Sequence, residues 1–202
     1  MPSYGTDSTL PAKIIIAGGF GAGKTTFVGA ASEIRPLRTE EQLTAASRNI
    51  DSLHGLAAKS TTTVAMDFGR LTLPLAAGNG LGAQHVQLLM FGTPGQQRFG
   101  FMWDGLTHRA VGACVLVDTR RLPDAFAPVE YFERRTMPFV VAVNRFDGMR
   151  THDTGDVHAA LDLEPWVPVM DCDARERPSA RKVLIQLLRH ACDRAEASFL
   201  TR

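Results

Sequence analysis

The stretch Lys13-Ile14-Ile15-Ile16-Ala17-Gly18-Gly19-Phe20-Gly21-Ala22-Gly23-Lys24-Thr25 constrains this chain more than any other. A short apolar run, read as a buried strand, leads directly into G-x-x-x-x-G-K-[ST], and a helix over 24–32 follows. Glycine permits the torsions that turn successive backbone N–H groups inward onto phosphate oxygens. Lys24 supplies a point charge for the β- and γ-phosphates, and Thr25 a hydroxyl ligand for Mg²⁺. The helix presents the positive end of its dipole to the same anion. Gly18, Phe20, Gly21, Ala22, Gly23, Lys24, Thr25 and Thr26 are therefore the candidate nucleotide contacts. The loop says nothing about which base is attached.

Around this anchor, strand patterns recur at 64–73, 84–91, 111–117, 139–143 and 167–170. Helical patterns fall near 99–108, 125–134, 153–161 and 178–198. In the last of these, Val183, Leu184, Leu187, Leu188 and Ala191 form one apolar stripe. Alternating strands and helices predict a three-layer α/β fold of the P-loop nucleotidase type. Its sheet is expected to be mostly parallel and six-stranded, with one antiparallel edge strand and helices on both faces. Residues 1–11, rich in Ser, Thr, Gly and Pro, are expected to form a flexible leader, and 12–202 a single domain. Residues 33–60 read as a polar connection with a weak helical pattern around 40–53.

The formal net charge of +1 gives no general pull toward nucleic acid or anionic membrane. Phosphate binding must come from local geometry. The longest apolar run, 110–117, is too short to span a bilayer. No secretory or lipidation pattern is read at either end, since Pro2 excludes Met-Gly and Phe-Leu-Thr-Arg is no prenylation box. The three cysteines, Cys114, Cys172 and Cys192, lack metal-type spacing and read as small buried hydrophobes in a reducing compartment. A cytoplasmic protein without a direct membrane anchor is expected, peripheral at most through partners.

Four further segments bear on the base and the chemistry. Asn144-Arg145-Phe146-Asp147 follows the 139–143 strand, at the edge where such sheets bind ligands. It resembles the N-K-x-D element of Ras-like GTPases, with arginine replacing lysine. That resemblance implies that Asp147 accepts hydrogen bonds from guanine N1–H and the 2-amino group, which adenine does not offer. It also implies that Asn144 braces the P-loop and that Arg145 lies along the base. Asp173-Ala174-Arg175 resembles the S-A-K element, with the Ala174 N–H directed at guanine O6. Phe91-Gly92-Thr93-Pro94-Gly95-Gln96 resembles switch II. There Gly95 would donate its N–H to the γ-phosphate and Gln96 would orient the attacking water, with Lys24 as the third catalytic group. Thr63-Val64-Ala65-Met66-Asp67-Phe68 resembles the end of switch I. Thr63 is the candidate second hydroxyl on Mg²⁺, with Thr61 and Thr62 as neighbouring alternatives.

Taken together, these elements stand in Ras-family order, and the chain resembles the bacterial branch of that superfamily. The pairing T-T-T-V-A-M-D-F-G with F-G-T-P-G-Q-x-R-F is similar to the actinobacterial conservon GTPases and to gliding-motility GTPases. The resemblance implies a GTP/GDP- and Mg²⁺-dependent signalling switch with slow hydrolysis, and roadblock-type and sensor-kinase-like proteins as partners. One departure stands out. Gly92 occupies the place of the aspartate that holds Mg²⁺ through water, and glycine offers no ligand atom. Asp67 is the candidate substitute, unless it is an ordinary strand carboxylate. Gln96 favours a hydrolase, whereas Gly92 favours a non-hydrolysing guanine-nucleotide scaffold in a sensor-kinase-linked complex.

Overall fold

In the first strand, successive side chains enter two different cores. A computed structural model describes residues 8–42, 63–75, 83–94, 103–148 and 152–200. Its strands are β1 (Thr9–Gly18), β2 (Leu37–Gln42), β3 (Thr63–Pro74), β4 (His85–Gly92), β5 (Ala110–Val117), β6 (Phe139–Asn144) and β7 (Val169–Cys172). Its helices are α1 (Lys24–Ala31), α2 (Trp103–Thr107), α3 (Phe126–Arg134), α4 (Thr154–Ala160) and α5 (Arg177–Leu200). Side chains alternate across a strand, so Ile14 and Ile16 join the core under α1 and α5, with Phe27, Val28, Val183, Leu184 and Leu187. Ile15 and Ala17 join the opposite core, with Trp103, Val129, Phe132 and Val157. Both faces of the central strands are covered, which is why β1, β5 and β6 read as continuous apolar runs. Phe27 is fully buried, and truncating such a side chain to alanine removes about 3–5 kcal/mol.

The strand order is β2-β3-β4-β1-β5-β6-β7. β1 pairs in parallel with β4 and β5, β6 continues from β5, and β7 from β6. β3 is antiparallel to both β2 and β4, so six strands run one way and one runs against them. Successive connections leave β1 toward opposite edges of the sheet. The C-terminal end of β1 is therefore the switch point at which α/β sheets open a ligand crevice.

The α/β class, the mostly parallel sheet and the two helical layers match expectation; three details differ. The sheet has seven strands, because Leu37–Gln42 pairs with Thr63–Phe68. The reversed strand β3 is thus covered and does not form the edge. Strand pairing overrides the weak helical pattern as far as Gln42, and the remainder of 43–53 lies outside the described residues. Thr9, Leu10 and Pro11, assigned to a leader, belong to β1 and pair with His85, Val86 and Gln87. β7 starts at Val169, two residues later than expected. Pro168 has no N–H for the ladder, although its carbonyl accepts from Val141 N–H. Cys114 and Cys172 are buried as expected, but Cys192 is exposed. No described helix is long and apolar enough to cross a membrane.

Candidate nucleotide site

The loop between β1 and α1 needs its glycines in two ways. Gly18 and Gly23 have φ of 137° and 101°, values L side chains rarely adopt. Each is also closed off: a Cβ on Gly18 would lie 2.3 Å from Leu116 O, and one on Gly23 2.6 Å from Asn144 Nδ2. Helix α1 begins at Lys24 with no side-chain cap on its first amides and no acidic residue in its first turn. Helix starts normally recruit such oxygen acceptors. A first turn left without them suits an anion. The Lys24 ammonium is buried and donates to Gly18 O at 2.9 Å and Gly19 O at 2.6 Å. Burial pulls its pKa down to about 8, against the opposing pull of the Asp67 and Asp124 carboxylates. Thr26 is exposed on the same turn, and Phe20 is exposed at the loop tip.

On the β3–β4 side, Thr25 Oγ1 donates to Asp67 Oδ2 at 2.5 Å. The carboxylate proposed to replace the one missing at Gly92 thus meets the hydroxyl proposed to bind the metal. Gly92 is what leaves it room. Asp67 lies one step beyond the Phe68–Phe91 pair, across from Gly92, and a Cβ on Gly92 would come within 3.2 Å of Asp67 Cβ and 3.5 Å of its Oδ2. Directly opposed residues on paired strands share one small volume, so a carboxylate can enter it from either strand. Hydroxyl and carboxylate oxygens are the hard donors Mg²⁺ takes. Among the described residues no three His, Cys, Asp or Glu side chains are grouped to hold a metal ion. A cation between Thr25 and Asp67 would therefore complete its shell with phosphate and water oxygens. Gly95 and Gln96 lie outside the described residues, as do Thr61, Thr62 and the side chain of Thr63. The backbone of Thr63 opens β3 opposite Gln42.

On the β6–β7 side, Asn144 is buried and ties three segments together. Its Nδ2 donates to Ala22 O in the P-loop at 3.0 Å, and its Oδ1 accepts from Ala174 N–H at 3.1 Å. Asn144 thus joins the end of β6 to the P-loop backbone. The Ala174 N–H, expected to point at a base oxygen, is instead engaged by Asn144, because the buried amide oxygen needs a donor. Arg145 also differs from expectation. Its guanidinium is buried and paired with Asp171 on β7, Nε at 2.8 Å and Nη2 at 2.6 Å from Oδ1. A charge removed from water requires such a partner, so the guanidinium is committed to β7 and not laid along a base. The backbone of Asp147 sits in a 3-10 turn, Phe146–Gly148, and its side chain lies outside the described residues. Asp173 and Arg175 pair with each other, Nη2 to Oδ2 at 2.8 Å, and that pairing holds the Asp173 carboxyl below its ordinary range.

Two contributors escape a reading of the sequence. Asp124 lies beside the P-loop, where a Cβ on Gly19 would come within 2.4 Å of its Cβ, and Arg121 pairs with it at 3.0 Å. Arg120 grips Asp118 through Nε at 2.9 Å and Nη2 at 2.8 Å, and its guanidinium stacks 4.1 Å from the Phe146 ring centre. These residues follow β5 at the ligand edge of the sheet, the one signal that could have flagged them.

A strand–loop–helix cradle at the switch point, a buried lysine and an asparagine locking the loop define a nucleotide-binding P-loop protein. The chain belongs to the family described as conserved hypothetical ATP binding protein, whose model matches residues 16–194. No curated protein matches it.

Proposed function

We propose that this chain is a guanine-nucleotide switch that binds GTP and GDP with Mg²⁺ and hydrolyses GTP slowly. The observation that carries the reading is the double tie of Asn144 to Ala22 and Ala174. It ties the start of the Asn144–Asp147 segment to the phosphate loop, which supports reading the following turn as the base-recognition element. Asp147 then selects guanine by accepting from N1–H and the 2-amino group. Lys24 and the α1 amides hold the β- and γ-phosphates, and Thr25 and Asp67 hold Mg²⁺, with Thr63 as a further hydroxyl. When bound, that ion neutralises charge on the β- and γ-phosphate oxygens. Gly95 donates to the γ-phosphate, and Gln96 orients the attacking water. By resemblance, the switch works in the cytoplasm with roadblock-type and sensor-kinase-like partners, reaching the membrane only through them.

The description of the family as ATP-binding favours a second reading, an adenine-nucleotide protein of the same architecture. Replacing Asp147 separates the two. In a guanine site, Asp147→Asn exchanges an acceptor for a donor and moves preference from guanine to xanthine nucleotides. Unchanged competition by GDP and xanthosine diphosphate in that variant would remove Asp147 from base selection. Gln96→Leu should slow phosphate release while leaving affinity intact; an unaltered rate would mean that Gln96 does not position the water. No phosphate release from the unmodified protein with Mg²⁺ and GTP would favour the non-hydrolysing scaffold that Gly92 suggests.

A further inference from the structure

At the end of the sheet away from the P-loop, about 25 Å along β1, lie two adjoining depressions. One is a cleft of about 440 Å³ lined by Glu133, Asp162, Glu164, Trp166, His190 and Arg194. The other is a groove of about 580 Å³ lined by Leu10, Val86, Val111, Leu188, Ala191 and Cys192. Thr136, Pro138 and Arg194 border both.

The cleft contains an unmet carboxyl oxygen. Glu133 Oε1 is buried without a hydrogen-bond partner. Burial, together with Glu164, Asp162 and Glu130, pushes the Glu133 carboxyl above its ordinary range, so negative charge is concentrated there. His190, only 7% exposed, lines the same cleft, and burial together with the nearby Arg194 charge lowers its pKa. Buried polar groups in native proteins are nearly always satisfied, and the carboxylates of Glu133, Asp162 and Glu164 outnumber the Arg194 guanidinium that lines the same cleft. A bare metal ion does not fit, since no three such side chains are grouped to hold one among the described residues. A side-chain cation does. Trp166 is 51% exposed, and Arg194 already stands 5.1 Å from the centre of its ring, so the aromatic face accepts a guanidinium. The neighbouring groove is apolar, with Leu10 and Val111 43% and 39% exposed.

We infer that this face docks a segment of a partner protein that carries a lysine or arginine beside apolar side chains. The cation enters the Glu133–Asp162–Glu164 cleft, and the apolar side chains cover Leu10 and Val111. Charge complementarity selects the cation, and continuity with the groove selects a polypeptide over a small amine. The inference is independent of which nucleotide the opposite edge binds.

The probe is a blocked hexapeptide alternating arginine and leucine, titrated into the full chain. Binding is followed by Trp166 fluorescence and by protection of Cys192, the one exposed cysteine, from N-ethylmaleimide. Saturable binding is expected, at least about tenfold tighter than for the glutamate–leucine counterpart. Glu133→Gln combined with Glu164→Gln should weaken it by a similar factor, and Val111→Ser by a few-fold, with nucleotide binding retained as the check on folding. Equal affinity for both peptides, or no saturation, would overturn the inference. Arginine amide binding as tightly as the peptide would instead assign the cleft to a small cation. Sedimentation showing a dimer broken by Val111→Ser would assign the groove to a second copy.

Discussion

The two halves of the nucleotide edge are built on different terms. On the β5–β7 side, most groups found near the site are already committed: Asn144 to Ala22 and Ala174, Arg145 to Asp171, Arg120 to Asp118 and Phe146. On the β3–β4 side, Thr25 donates to Asp67 across two elements. That contact exists because Gly92 leaves the space open. The β5–β7 side is thus a frame held by buried polar ties. The β3–β4 side carries its carboxylate on β3, opposite the glycine of β4.

Predictions can press on each half. The largest effect should come from the element both halves share. Lys24→Ala removes a charge-assisted contact to phosphate worth about 1.5–3 kcal/mol for each hydrogen bond, so nucleotide affinity should fall on the order of a hundredfold in direct titration. Retained affinity would mean that the cradle binds through its amides alone.

The frame should break next. Gly23→Ala forces a side chain onto a left-handed residue and into the Asn144 amide. It should remove about 2 kcal/mol of stability, read by urea unfolding. Gly21 is also at positive φ, but a Cβ there would meet no atom within 4 Å, so it should lose less on the same change. Equal losses would mean that the Asn144 tie adds nothing beyond backbone strain.

The metal half should respond more mildly and only with metal present. Asp67→Ala should weaken Mg²⁺-dependent GTP binding by about tenfold, with little effect on GDP binding measured in chelator. Gly92→Asp in that background should recover part of the loss. The double-mutant cycle should give a coupling of about 0.5–3 kcal/mol; strict additivity would leave Asp67 as an ordinary strand residue.

How much of this is legible in sequence follows the same division. The P-loop and the central strands follow from local order, because glycine torsions and apolar runs are short-range signals; the role of Asn144 beside the P-loop is implied only by resemblance to the N-K-x-D element. Asp67 can be named as a candidate, but its meeting with Thr25 is a matter of register between β3 and β4, which no local pattern encodes. Strand β2 is not legible because its pairing with β3, not its own residues, makes it a strand. Arg145 and Ala174 depart from expectation for a related reason. Asp171 pairs with Nε and Nη2 of Arg145, and the Asn144 side-chain oxygen accepts from Ala174 N–H, a tertiary demand of buried charge and buried acceptor.

The smallest effect is a pH dependence set by Lys24. Its pKa is about 8, and bound phosphate would raise it, so binding takes up a proton once the free ammonium begins to ionise. Affinity should be level below about pH 8 and fall as pH rises above it, by no more than about tenfold per unit. Lys24→Arg, which stays charged throughout, should flatten the profile in titrations at pH 7 to 9.

The most direct test of a guanine-selective frame is competition between GTP and ATP for the unmodified protein in Mg²⁺. Displacement of a fluorescent guanosine diphosphate should require at least about a hundredfold more ATP than GTP, since the pairing donors for Asp147 are absent from adenine. Equal displacement by the two nucleotides would contradict the account and return the chain to the adenine reading.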